Sequence, residues 1–417
     1  LAPFDEGLVV TADGRGDFES ASIWDFDRRR RPALTRRLSV PSNDSLGYFY
    51  GRITGLLGFR PHRHEGKVTG LAAHGDPAVA IDLMRDMIEY EDGTLRARNG
   101  PWFRPFFAPY SPELVDRISS LRREDVAAAA QAHLEDMVAR LVADHLPEGR
   151  EVDVALAGGV FANVRVNQVV KELPGVRRVF VQPHMSDGGL CLGAAAGATH
   201  ARGVGVRPMR TARLGPASPP VAPGAGFRVR ALPDDQLVDA VVDLLADSKV
   251  VGTVRGRMEF GPRALCSRSI LYRTTDPTVN DWLNERLHRT EFMPFAPVTT
   301  RELAPRCFHD LDPDDPTLPF MTATLRCTDE FSAACPSVRH IDGTARPQVV
   351  GHDDDPFIHA LVTAWHARTG EMALINTSFN MHEEPIIHTA ERGLDALRAG
   401  TIDALLLDDR VVERADG

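Results

Sequence analysis

Val152-Asp153-Val154-Ala155-Leu156-Ala157-Gly158-Gly159-Val160-Phe161-Ala162-Asn163 is the stretch that decides the fold. Val152 to Ala157, apolar except for Asp153, reads as a strand, Gly158-Gly159 as a turn, and Phe161 to Leu173 keeps helical spacing. Paired glycines ahead of a helix let backbone N–H groups approach phosphate, although many such turns only connect elements. Upstream, Gly7 to Thr11 reads as a strand ending in a tight turn, Asp13-Gly14-Arg15-Gly16-Asp17, that presents two carboxylates. Ser45 to Leu57 has the spacing of an amphipathic helix, Glu65 to Gly75 is small and Gly-punctuated, and further helices are expected over Ala78–Glu89 and Glu124–His145. Downstream come a short strand, Val179 to Gln182, and a small-residue helix, Leu190 to Thr199, expected to pack closely against a neighbour. Gly203 to Gly226 carries Pro208, Pro216, Pro219, Pro220 and Pro223 and reads as a linker. Beyond it strands at Val250–Val254, Met372–Ile375 and Asp403–Leu407 alternate with helices at Asp234–Asp247, Asp276–Leu287, Phe357–His366 and Ala390–Leu397. Both halves are therefore expected to be α/β.

A chain of 417 residues has room for two or three domains. Hydrophobic residues at 43% and charged residues at 25% are those of a soluble globular protein. No apolar run reaches the roughly 18 residues of a membrane span, and no signal peptide is legible, which points to the cytoplasm and away from membranes. A formal charge of −10 argues against nucleic acid as a partner. The five cysteines form no C-x-x-C pair and are too few for a disulfide framework.

The most chemically pointed segment is Gly256-Arg257-Met258-Glu259-Phe260-Gly261-Pro262-Arg263-Ala264-Leu265-Cys266-Ser267-Arg268-Ser269-Ile270-Leu271. It follows a strand, and Gly256 and Gly261-Pro262 break any continuous helix. Arginines projecting from irregular backbone suit a small, multiply charged anion, because guanidinium groups fork onto phosphate and carboxylate oxygens.

Taken in order, the motifs resemble the NodU/CmcH-type O-carbamoyltransferases, which act on nodulation factors and antibiotics. The resemblance covers nearly the whole chain. It rests on Asp13-Gly14; Gly47-Tyr48-Phe49-Tyr50 with Glu65-Gly66-Lys67 and Gly70-Leu71-Ala72; Gly158-Gly159-Val160 with Asn163 and Asn167; and Pro183 with Asp187-Gly188-Gly189. In the second half it rests on the Gly256–Leu271 loop, Arg289 with Pro294-Phe295-Ala296-Pro297, Asp342-Gly343-Thr344-Ala345-Arg346 and Asn376-Thr377-Ser378-Phe379-Asn380.

The resemblance implies an actin-like (ASKHA) ATPase-type module over residues 1–204, N-terminally incomplete, a Pro-rich linker over 205–226, and a YrdC-like α/β domain over 227–417. It implies that carbamoyl phosphate and ATP, with Mg2+ on the nucleotide, give carbamoyl-adenylate in the second module. The carbamoyl group then passes to a hydroxyl of a small-molecule acceptor in the first, beside a divalent, iron-type metal. Arg257, Arg263, Arg268 and Arg289 are then expected on phosphate and carbamoyl oxygens, where fixed cations stabilise developing charge. Ser269, Asn376, Ser378 and Asn380 are expected to hydrogen-bond the carbamoyl amide, ribose or phosphate. Gly261 belongs to the same binding loop, and Glu259 is expected to orient an arginine or a metal, or to pair structurally. Gly158, Gly159, Asn163 and Lys67 are expected at the nucleotide of the first module, and Asp187 and Asp13 at its metal.

The chain also departs from the family pattern. Family members carry a preceding lobe with an H-x-x-x-H that binds the metal, and no H-x-x-x-H occurs here. His62 and His64 form only H-x-H, and His184 alone lies near Asp187. Cys266 stands where the family has Gly, and Leu287 and Met293 where it often has Lys and Arg. The leading expectation is an ATP-dependent O-carbamoyltransferase that lacks the first lobe. The alternative is a degenerate or partner-dependent subunit that does not transfer carbamoyl on its own, its missing fragment supplied by another chain.

Overall fold

The computed structural model describes residues 1–106, 108–289, 294–381 and 384–415; Met293 lies outside them. The chain divides into two compact units, Leu1–Met209 and Arg210–Gly417.

Unit 1 begins with an antiparallel meander, β1 (Glu6–Gly16), β2 (Glu19–Asp27) and β3 (Leu34–Pro41). Next come α1 (Leu46–Leu56), α2 (Glu65–Ala72), α3 (Ile81–Arg85), the hairpin β4 (Ile88–Glu91) and β5 (Thr94–Ala97), α4 (Pro112–Ser119) and α5 (Arg123–Ala143). The unit closes with β6 (Val152–Ala157), α6 (Val164–Lys171), β7 (Val176–Val181) and α7 (Leu190–Ala201). The sheet order is β3-β2-β1-β6-β7, with β1, β6 and β7 parallel. Val10, Val154, Leu156 and Val179 from the sheet share one core with Phe49, Ile53, Val126, Val138 and Leu141 from α1 and α5.

Unit 2 runs β8 (Phe227–Ala231), α8 (Asp234–Ala246), β9 (Val251–Val254), β10 (Ser269–Arg273), α9 (Val279–Arg286), β11 (Ala296–Thr300) and α10 (Ala304–Cys307). It continues with β12 (Leu325–Arg326), α11 (Asp329–Ala334), β13 (Thr344–Ala345), β14 (Gln348–Val350), α12 (Pro356–Thr369), β15 (Leu374–Ser378), α13 (Ala390–Ala399), β16 (Ala404–Leu407) and β17 (Arg410–Arg414). Its mixed eight-stranded sheet has the order β14-β11-β15-β10-β9-β16-β17-β8. One face packs on α8 and α12 through Leu237, Val241, Leu361 and Trp365. The other carries Leu283, Phe308, Phe331, Leu394 and Leu397. A strand buried on both faces is apolar throughout, as β16 is, and β9 departs from this only at Thr253.

Three expectations change in the structure. The strand at Gly7–Thr11 does not end at Asp13-Gly14; β1 runs to Gly16, with a shift in its pairing between Ala12 and Gly16. The tight turn is instead Asp17-Phe18, both with positive φ (49° and 66°). The helix expected over Ala78–Glu89 stops at Arg85, because Asp92-Gly93, at φ 51° and 76°, turns the hairpin of β4 and β5. Finally, within its own unit α7 has no buried residue, and Leu190 is 70% exposed.

Candidate active site

In unit 1 the turn after β6 is built by close approach. Gly158 adopts φ 107°, and a Cβ there would stand 2.1 Å from the carbonyl oxygen of Ala12 on β1. Only glycine meets both demands. Asp13 reaches across from β1, accepting the N–H of Gly14 at 2.6 Å on Oδ1 and that of Gly159 at 2.9 Å on Oδ2. The carboxylate thus occupies the amide of the Gly-Gly turn. Ser45, the N-cap of α1, donates to the Asp13 carbonyl at 2.9 Å and fixes this corner to the helix. Asn163 caps α6, accepting from the N–H groups of Arg165 and Val166, and its Nδ2 donates to Gln131 Oε1 at 2.8 Å. Gln131 also accepts from the buried Tyr50 hydroxyl at 2.7 Å. Asn163 is thereby joined to a polar network through the core of the unit, where burial pushes the Tyr50 phenol up. Lys67 is buried on α2.

Asp187 is exposed at the start of a short 3-10 turn. The adjoining chain folds tightly on itself, for a Cβ on Gly188 would fall 2.0 Å from His184 Nε2. Burial holds the His184 imidazole below its ordinary pKa. Among the described residues no three His, Cys, Asp or Glu side chains come together in a way that could hold a metal ion. Asp13 and Asp187 therefore do not by themselves fit a metal.

Unit 2 brings most of its predicted residues to one end of the central sheet, where β10 and β15 pair Ser269 with Ser378 and Leu271 with Asn376. The loop between β9 and β10 is held by Glu259, which is 6% exposed. Its Oε1 accepts three backbone N–H groups, from Leu265 at 2.7 Å, Ser267 at 2.8 Å and Arg268 at 3.1 Å. A carboxylate in a nest of amides is an internal anion that sets the path of the loop. Ser269 Oγ accepts from the N–H of Cys266 at 3.0 Å, and Thr253 Oγ1 from the N–H of Ser269 at 3.0 Å. Gly261 adopts φ 135° in the same loop.

Three of the arginines donate to backbone carbonyls. Arg268 is fully buried and donates to the carbonyls of Ser267 (2.8 Å), Gly256 (3.1 Å), Arg255 (3.3 Å) and His388 (3.3 Å). Exposed Arg257 donates to the carbonyls of Leu214 at 2.6 Å and Gly215 at 2.8 Å. In this structure both therefore hold backbone, whereas phosphate contact was expected of them. Arg289 stands at the end of β15, donating to Thr377 Oγ1 at 3.1 Å, Asn380 Oδ1 at 2.9 Å and the carbonyls of Ser378 and Asn380. Burial pushes Arg263 down to about 10, so it is still cationic at neutral pH.

The segment expected as a linker is knitted onto both units. The carbonyl of Val206 accepts from Arg28 at 2.8 Å, and the N–H of Met209 donates to the carbonyl of Leu1 at 2.8 Å. From Ala212 the chain runs along the Arg-rich loop, pairing Phe260 with Ala212 (2.6 Å), Gly215 with Met258 (2.9 Å) and Met258 with Pro216 (2.9 Å). Arg213 adds an ion pair with Asp355, the N-cap of α12, and a bond to the Leu265 carbonyl at 3.0 Å.

Sequence reasoning missed Gln348, which is 3% exposed and accepts from Asn376 Nδ2 at 2.7 Å and from the Cys266 thiol at 3.2 Å. Its one signal is a glutamine opening the apolar strand Gln348-Val349-Val350.

A family model described as the carbamoyltransferase N-terminus matches residues 1–196, and one described as the carbamoyltransferase C-terminus matches residues 242–414. The nodulation protein NolNO of Sinorhizobium fredii is 30% identical over 434 residues, spanning 99% of this chain and 62% of that protein. The 3'-hydroxymethylcephem-O-carbamoyltransferase of Amycolatopsis lactamdurans is 29% identical over 433 residues, spanning 100% of this chain and 78% of that enzyme. Among solved structures, full-length HypF in its phosphate- and nucleotide-bound form overlays 46% of this chain and 23% of its own, at 17% identity and a TM-score of 0.31. That overlay is too loose to identify a fold.

Proposed function

Because the chain belongs to the carbamoyltransferase family of enzymes, we propose that it is an ATP-dependent O-carbamoyltransferase whose unit 2 makes the activated donor. In this reading unit 2 is YrdC-like and unit 1 is of the actin-like ATPase type. Carbamoyl phosphate, ATP and one water give carbamoyl-adenylate, inorganic phosphate and pyrophosphate. The hydroxyl of an acceptor then attacks the carbamoyl carbon, AMP leaves, and the hydroxyl proton is lost. The name of the cephem relative, with its hydroxymethyl acceptor, supports a hydroxylated natural product or sugar as the acceptor class. No described helix is long and apolar enough to cross a membrane.

One observation carries the reading. Arg289, Asn376, Ser378 and Asn380 gather beside the loop bearing Arg263, with Asn376 Nδ2 3.1 Å from the carbonyl of Ala264. The fixed Arg289 guanidinium beside hydroxyls and amides suits the charge that develops at the α-phosphate during adenylation, and Arg263 on the adjoining loop would add a second cation. Arg257, Arg268 and Glu259 would hold the loop, and Lys67 would meet the nucleotide in unit 1. The test is carbamoyl-phosphate-dependent exchange of labelled pyrophosphate into ATP. We expect exchange by the intact chain and a loss of about 100-fold or more in Arg289→Ala, the scale of removing one transition-state donor. A folded chain without exchange would remove the assignment.

A second reading, a chain that transfers carbamoyl only with a further partner, draws on α7, whose apolar residues are unburied within unit 1. It is distinguished by exchange without acceptor carbamoylation until that partner is added.

A further inference from the structure

We propose that Asn376 recognises the carbamoyl group through its NH2 and thereby selects carbamoyl phosphate over other acyl phosphates. The inference rests on the reading of unit 2 as the donor-activating unit and supplies its specificity determinant.

Asn376 sits on a central strand, opposite Leu271 on β10 and Ala296 on β11, and is 1% exposed. A polar side chain there is unfavourable unless each of its atoms is paired. Its Nδ2 donates to Gln348 Oε1 at 2.7 Å and to the carbonyl of Ala264 at 3.1 Å. A backbone carbonyl can only accept, so this contact fixes which end of the amide is nitrogen. Gln348 is itself anchored, because its Oε1 also accepts from the Cys266 thiol. The amide is therefore locked, and its oxygen must point away from both acceptors. That oxygen is buried and has no hydrogen-bond partner among the described residues.

A locked, buried acceptor waits for a donor that the chain does not supply. On carbamoyl phosphate at neutral pH the carbonyl and phosphate oxygens accept, and only the NH2 donates. Adenine also carries an NH2, but Ala264, against which Asn376 rests, adjoins Arg263, and Ser378 two residues on contacts Arg289. The reacting group, rather than the base, belongs beside the Arg289 guanidinium. Acetyl phosphate replaces the NH2 by a methyl of similar size, leaving the Asn376 oxygen unpaired against carbon. A site built to bond an N–H rejects such an analogue strongly.

The test compares carbamoyl phosphate with acetyl phosphate in pyrophosphate exchange by the full chain at saturating ATP. We expect the unaltered chain to favour carbamoyl phosphate by about 100-fold or more in kcat/KM. In Asn376→Ala the carbamoyl phosphate value should fall by about 100-fold while that for acetyl phosphate stays within about 3-fold, so that discrimination collapses. Gln348→Leu, which removes one of the two oxygen acceptors that lock the amide, should erode discrimination in the same direction. Equal losses with both donors, or a raised KM for ATP with discrimination intact, would overturn the proposal. So would an unaltered chain that uses both donors alike, whether or not the variants fold. If neither acyl phosphate supports exchange, the reading of unit 2 fails, and calorimetry on the unaltered chain judges the proposal separately. At least about tenfold tighter binding of carbamoyl phosphate supports it, and equal binding of the two overturns it.

Discussion

Cys266 adopts φ 71°, the left-handed region that glycine enters freely and an L side chain enters at a cost of about 1 kcal/mol or more. It is 3% exposed, packs with the core layer of α8 and α12, and donates to Gln348. Those contacts offset the strain. Replacing it by alanine keeps the strain and loses the sulfur, whereas glycine relieves the strain. Cys266→Gly is therefore expected to equal or exceed Cys266→Ala in stability, by up to about 1 kcal/mol in urea denaturation. The reverse order would mean that the backbone there is unstrained. The exchange of glycine for cysteine was legible in the sequence as a departure with a backbone consequence. The role of Arg268 was not. A guanidinium is satisfied equally by a phosphate and by a cage of carbonyls, and residue order does not say which oxygens surround it.

At the scale of elements, the β-turn-α unit was read correctly because an apolar strand, a glycine pair and a helical period agree. The end of β1 was misread because Asp13-Gly14 has the composition of a turn, while the chain in fact turns at Asp17-Phe18. Within the decisive strand one residue broke the apolar pattern. Asp153 on β6 has a side chain with no exposed surface, and it receives forks from Arg177 and Arg178 on β7 at 2.6–3.1 Å. Burial pushes this carboxyl up, but the two guanidinium groups outweigh burial and hold it below the usual carboxylate value. A depressed folded-state pKa stabilises the fold above the unfolded value of about 4 and ceases to do so as pH falls through the folded value. Asp153→Asn is expected to lower stability by about 2–3 kcal/mol at pH 7, with the difference from the unaltered chain shrinking below about pH 4. A difference that stays constant with pH would show that the charge is not what binds β6 to β7.

At the scale of the whole molecule, each unit has its own apolar core, so each is expected to fold alone. The prolines of 205–226 suggested slack, yet the carbonyls of Leu214, Gly215 and Pro216 are bonded to ordered partners, which composition cannot reveal. A fragment beginning at Arg210 is expected to melt cooperatively, and one beginning at Phe227 to melt several degrees lower, since about 2–3 kcal/mol of loop contacts is lost. Equal melting temperatures would show that Ala212–Pro216 merely lies beside the loop. The pairing of that segment with Met258 and Phe260 has a mechanical consequence. Only Arg210 and Thr211 separate the last backbone anchor on unit 1 from the first on unit 2. A pull on the polypeptide there would be delivered, almost without play, to the loop that bears Arg263, making the tether a transmission line for force as well as a connection.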